Sequence, residues 1–107
     1  MNDFVIRCKS LADEKRFKIL EILLSSDLCV RALAHRLGIS ESSVSQHLQT
    51  LRKAGLVKGE KRGYWTHYSV QRNALKEMVE TLTEIADRPK LIQPFRMEKG
   101  INKSNDS

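Results

Sequence analysis

Two short helical segments, each closed by a glycine and followed by a basic hairpin, constrain this chain more than anything else in it. The run from Leu28 to Val70 reads LCVRALAHRLGISESSVSQHLQTLRKAGLVKGEKRGYWTHYSV. Leu33 and Leu37, with Val30 and Ala34 beside them, form the apolar face of a helix over about Val30–Leu37. Gly38 supplies the left-handed residue that stops it. Ser40 then caps a helix from Glu41 to about Ala54, closed by Gly55. Inside it Val44, Leu48 and Leu51 repeat at i, i+4, i+7 and must face a core. Leu56–Arg62 and Tyr64–Val70 read as two strands joined at Arg62-Gly63.

With the Val44 stripe committed to the core, the opposite face of that second helix holds Ser42, Ser43, Ser45, Gln46 and Gln49. In a helix-turn-helix the second helix enters the major groove, its N-terminal half toward the base edges. Small hydroxyls permit close approach, and Gln46 is the best candidate for base readout, because glutamine can pair two bonds to adenine. Serines near a helix start are also capping residues. That accounts for Ser40 and in part for Ser42 or Ser43, but not for Ser45 and Gln46 further in. His47 flanks the apolar stripe and reads as a residue that packs or bonds locally, with base contact the less favoured alternative. Lys58, Lys61 and Arg62 lead to the tip at Gly63, a wing that can lay cations along phosphates or into a minor groove. Alternation puts Tyr64, Thr66, Tyr68 and Val70 on the core side of the second strand. Trp65, His67 and Ser69 fall on the other side, where Trp65 and His67 read as rim or packing residues.

Charge follows the motif. Residues 31–72 carry eight Lys and Arg against two acids, and the rest of the chain carries eleven of each. The whole surplus of six therefore sits in the segment that resembles a nucleic-acid reader. A charge run alone usually marks a solvated face. Its coincidence with the motif points to phosphate neutralisation.

The rest of the chain supplies a small mainly α domain with one β-hairpin, in the order α-α-α-α-β-β-α. A first helix is expected over Asp3–Ser10, with Phe4, Cys8 and Leu11 aligned, and a second over Glu14–Leu24 behind an Asp13 cap. In the second, Phe17, Leu20 and Leu24 align, flanked by Ile19 and Leu23. A fifth helix over Ala74–Ala86, capped by Asn73, carries the stripe Leu75, Met78, Val79, Leu82, Ile85 and Ala86. At 107 residues the core is small, which favours a dimer that buries more surface. Residues 1–87 are expected to form the domain and 88–107 an extension, interrupted by Pro89 and Pro94 and at least partly disordered at its polar end. Leu91, Ile92, Phe95 and Met97 are the apolar exception, expected to dock somewhere, a partner subunit being one candidate. The chain has no apolar run of about 18 residues, no signal-peptide pattern at MNDFVIRCKS, and two cysteines expected to be reduced thiols, so the cytoplasm is expected and no membrane. A phosphate loop, a zinc-protease helix and a nucleophile elbow are all missing, and Glu77, Glu80 and Glu84 are spaced as a solvated face, so no enzyme is expected.

LADEKRFKIL, D-L-C-V before the third helix, S-x-S-x-V-S-x-H-L-x-x-L in the reader helix and G-Y-W-T-H-Y in the wing occur in this order over roughly residues 8–86. Together they resemble the ArsR/SmtB family of winged-helix repressors. The resemblance implies a homodimer built from the first and fifth helices, through Phe4, Cys8, Leu11, Leu75, Met78, Val79, Leu82 and Ile85. It implies double-stranded DNA with a pseudo-palindromic operator as partner. It also implies an effector, often a metal ion or metalloid, that releases the protein from DNA. Arsenic-sensing relatives carry C-V-C-x-x-C, but only Cys29 matches here, with Arg31 and Ala34 at the other two positions. Zinc-sensing relatives place Asp and His on the last helix, which here offers Glu77, Glu80, Glu84 and Asp87 without a histidine. The remaining pair is Cys8 with Cys29. It could hold a soft metal ion such as Cu(I) or Hg(II), act as a redox switch, or be no more than buried thiols; the fold itself requires no cofactor. His35 reads as a surface helix residue. A reading of a different class is an effector-free architectural or protein-interaction winged helix, against which the basic wing and the polar reader face weigh.

Overall fold

The computed structural model describes residues 2–91. The expected docking of Ile92, Phe95 and Met97, and the expected disorder of the polar end, lie outside the described residues. The elements run α1 (Asn2–Ser10), α2 (Glu14–Ser25), β1 (Leu28–Cys29), α3 (Val30–Leu37), α4 (Glu41–Lys53), β2 (Val57–Arg62), β3 (Trp65–Val70) and α5 (Arg72–Ala86).

Local chemistry sets most of these boundaries. Asp13 caps α2 by accepting the Lys15 and Arg16 backbone N–H groups at 2.9 and 3.1 Å. Gly38 ends α3 at φ 69°, and its N–H donates to the Ala34 carbonyl at 2.8 Å. Ser40 opens α4 by accepting the Ser43 N–H on Oγ at 3.0 Å. One cap was misplaced in the sequence reading. The Gln71 N–H donates to the Leu56 carbonyl at 2.8 Å, so the chain turns from strand to helix there and α5 starts at Arg72. Gln71 is the N-cap, without a side-chain bond, and Asn73 lies inside the first turn.

The sheet has three antiparallel strands in the order β1-β3-β2, not the hairpin alone. β1 is only two residues long, with Leu28 opposite Tyr68 and Cys29 opposite His67. It ties the entry of the helix-turn-helix to the wing. Arg62 pairs with Trp65, so the turn is Gly63-Tyr64, with Gly63 at φ 67°. Tyr64 therefore leaves the core side of the strand and is 97% exposed. At the opposite end Gly59 faces Tyr68, where a Cβ would meet the Tyr68 ring and the Thr66 methyl at 3.0 Å each. Glycine lets the Tyr68 ring lie across β2.

The core joins Ile19, Leu20 and Leu23 of α2 to Leu33 and Ala34 of α3, Val44, Leu48 and Leu51 of α4, Leu56 and Val57, and Met78 of α5. The α2 face is rotated from the expected one. Ile19, Leu20 and Leu23 turn inward against β3 and α4, while Phe17 is left exposed and Leu24 half-buried. Arginines brace the periphery. Arg7 donates from Nε to the Ala54 carbonyl and from Nη1 to Glu77 Oε1, both at 2.9 Å, fixing α1 to α4 and α5. Arg72 donates to the Leu24 carbonyl at the end of α2 at 2.6 Å.

Candidate nucleic-acid interface

α4 exists as an amphipathic helix because its apolar residues recur at helical spacing and its first turn is capped. Val44, Leu48 and Leu51 are sealed in the core. Ser42, Ser45, Gln46 and Gln49 are exposed on the opposite face, and Ser43 is half-buried against its cap. The sequence separated the two faces correctly. Thr50, not singled out in the sequence, donates from Oγ1 to the Gln46 carbonyl at 3.2 Å. Arg52 donates from Nε and Nη2 to Gln49 Oε1 at 3.1 and 2.7 Å. That fork fixes the Gln49 amide with its NH₂ pointing away from the guanidinium.

Between this face and the sheet lies an open groove of about 620 Å³, lined by Ser45, Gln46, Gln49, Arg52, Lys53 and Tyr68. Tyr68 belongs to both regions, packed against the core and walling the groove. The wing cations Lys58, Lys61 and Arg62 are all exposed on β2. Arg62 is not free, however. Its Nη2 meets Asp27 Oδ2 at 3.1 Å and Glu60 Oε1 at 3.5 Å. The first of these pairs pins the wing tip to the loop ahead of β1.

Behind the reader helix, Arg16 donates from Nε to the Ser10 carbonyl at 2.6 Å and lies 3.5 Å from His47 Nδ1. The Asp13 carboxyl is held below the ordinary 3.8, chiefly by the hydrogen bond from the Arg16 backbone N–H, with the Arg16 charge adding to it.

Cys8 and Cys29 are free thiols, each half-buried. Cys29 lines a cavity with residues of α3 and β3, whereas Cys8 lies on α1 and packs against the core. No group of three His, Cys, Asp or Glu side chains suited to a metal ion occurs among the described residues. Of the residues expected at a subunit interface, Met78 is buried in the protomer's own core, and Phe4, Cys8, Leu11 and Leu75 pack half-buried against it. Val79, Leu82 and Ile85 stand out from α5, at 61%, 54% and 42% exposure. No helix among the described residues is long and apolar enough to cross a membrane.

A capped, polar-faced helix behind a left-handed glycine turn, beside a cationic hairpin, defines a winged helix-turn-helix of the DNA-binding class. Residues 13–58 match the family described as bacterial regulatory protein, arsR family. The transcriptional activator HlyU of Vibrio cholerae is 40% identical over 78 residues, which span 73% of this chain and 72% of that protein. An ArsR-like transcriptional regulator from Rhodococcus sp. RHA1 superposes with a TM-score of 0.76 at 30% identity, covering 79% of this chain and 80% of that one. The homodimeric winged helix-turn-helix DNA-binding domain of Mb0332 from Mycobacterium bovis gives 0.67 at 25% identity, covering 80% of each chain. The chain belongs to the ArsR family of DNA-binding transcriptional regulators.

Proposed function

We propose that the protein is a cytoplasmic homodimeric repressor that holds a pseudo-palindromic operator and leaves it when an effector binds. The observation that carries this reading is the division of α4. Its apolar side is sealed in the core, while Ser42, Ser45, Gln46 and Gln49 face out beside a wing bearing Lys58, Lys61 and Arg62. In this reading Ser45 and Gln46 meet base edges, Ser42, Ser43 and Gln49 meet phosphates or bases, and the wing cations neutralise phosphates. Residues 1–87 serve as the DNA-binding and dimerisation domain, with 88–107 as an extension.

The two-fold partner is supported by the apolar side chains left outside the core. Val5 and Ile6 of α1 and Val79, Leu82 and Ile85 of α5 are exposed on two helices that pack together. The Mb0332 relative is homodimeric. A symmetric pair presents two reader helices, so half-sites should recur about one helical turn apart, ~34 Å.

Selection of bound duplexes from a random pool, followed by titration against salt, tests this. The expected result is an inverted repeat bound at least about a thousandfold more tightly than random DNA. Equal affinity for selected and random duplexes would instead establish the architectural reading.

A further inference from the structure

We propose that the cavity between α3, β1 and β3 binds a small planar organic anion, of the aromatic carboxylate class. It is an open depression of about 490 Å³, lined by Cys29, Arg31, Ala32, His35, Trp65 and His67. That volume suits a small organic ligand, and a single ion would leave most of it empty.

Each wall contributes one element of the chemistry. Cys29 and His67 are direct cross-strand partners, so their side chains stand on one face of the sheet. His67 Nδ1 is buried and has no hydrogen-bond partner among the described residues. A buried imidazole nitrogen without a partner is costly, and in the Nδ1–H tautomer a carboxylate oxygen that displaces the side chains covering it would relieve it. Trp65, two residues earlier on the same face, is half exposed and offers a flat apolar wall on which a ring can stack. Arg31, in the first turn of α3, forms no ion pair among the described residues. Its fork matches a carboxylate, and His35 lies one turn further along the same face. No side chain caps α3, so its first backbone N–H groups add to the favourable field for an anion.

The acids nearby are already engaged. Glu60 sits opposite His67 on β2 but lies 3.5 Å from Arg62, which also holds Asp27. No carboxylate lines the cavity. The same inventory argues against a metal ion. Cys29, His35 and His67 line the space but do not form a group suited to a metal ion among the described residues, and a permanently charged guanidinium stands beside them.

The cavity has the first helix of the helix-turn-helix on one side and the wing strand on the other. An occupant that contacts both sets their relative position, and with it the groove where α4 and the wing meet. This regulatory role rests on the operator-binding reading; the binding site itself does not.

Trp65 is the only tryptophan in the chain, so its fluorescence reports on the cavity directly. The free protein is titrated with benzoate, with acetate as an anion lacking a ring and benzamide as a ring lacking the charge. Benzoate is expected to give a saturable change, with both controls about tenfold weaker or worse. Arg31→Gln and His67→Gln should each weaken benzoate about tenfold while keeping the parent circular dichroism and melting profile. No saturable change with benzoate, controls that match it, or full binding by Arg31→Gln would overturn the site. Benzoate is then added to the protein–operator complex, where release is expected. Tight benzoate binding with operator affinity unchanged overturns the regulatory role alone. Failure of the benzoate-free protein to prefer any operator refutes the DNA reading and leaves the fluorescence result standing.

Discussion

The ion pair at the wing tip makes Asp27→Asn a sharp test of how the wing is used. Arg62 meets Asp27 at 3.1 Å, with the two side chains 50% and 39% exposed. An exposed pair of this kind contributes about 0.2–1 kcal/mol. To grip a phosphate, Arg62 must give up or share that carboxylate, so the pair opposes DNA binding by the same amount. Removing it at a midpoint of about 0.6 kcal/mol should tighten binding about threefold per wing, and about eightfold for a dimer that uses two. The guanidinium then neutralises phosphate with only Glu60 competing, at 3.5 Å, so the slope of log K against log salt should steepen by less than ~0.9 per wing. Fluorescence anisotropy of a labelled operator at several salt concentrations measures both quantities. The gain should vanish in an Arg62→Ala background. If Asp27→Asn binds more weakly, Asp27 positions Arg62 for contact and the competition argument is wrong. If the gain survives intact without Arg62, the cause is the general field of the acid and not the pair.

Gln46→Ala should relax preference at one base pair by about 1–3 kcal/mol while leaving binding to random duplex nearly unchanged; equal losses on both would remove Gln46 from base readout. Leu82→Glu puts a charge in the exposed α5 stripe and should give a folded monomer, by sedimentation, that binds operator far more weakly; a dimer that persists would place the two-fold interface elsewhere. Leu48→Ala empties a fully packed core position and should cost about 2–5 kcal/mol in denaturant unfolding. Asp13 has a folded pKa below 3.8, so its stabilising effect is present above that value and lost as pH falls through the folded one. Asp13→Asn keeps a capping side chain but should flatten the acid limb of the stability profile, and an unchanged limb would show that the Asp13 carboxylate does not contribute.

What could be read from the sequence was whatever depends on neighbours along the chain. The α3 and α4 boundaries, the Ser40 cap, the Gly38 stop and the division of α4 all rest on residues within a turn of one another. Contacts between distant segments were out of reach. β1 is two residues long, too short to show a period, and exists only because β3 offers it an edge. Phe17 looked like part of the α2 core face until β3 and α4 chose Ile19, Leu20 and Leu23 instead. The charge count treated eight cations between 31 and 72 alike. In the structure Arg72 serves the end of α2, Arg52 holds Gln49 and Arg62 is shared between two acids.

β1 also changes what the wing can do. In a free hairpin the strands could shift without disturbing the helix-turn-helix. Here Cys29 is at once the partner of His67 on β3 and the N-cap residue of α3. A displacement of β3 therefore acts on the start of α3 through a single residue, and α3 packs directly on the reader helix α4. The route back is equally short. In the proposed complex, phosphates that draw Arg62 from Asp27 would pull on β2 at its turn and release the loop that feeds β1. Wing engagement and the shape of the Cys29–His67 cavity thus share one mechanical element. Any ligand whose affinity differs between the free and the DNA-engaged wing must change DNA affinity, and by linkage DNA must change the affinity for that ligand by the same factor.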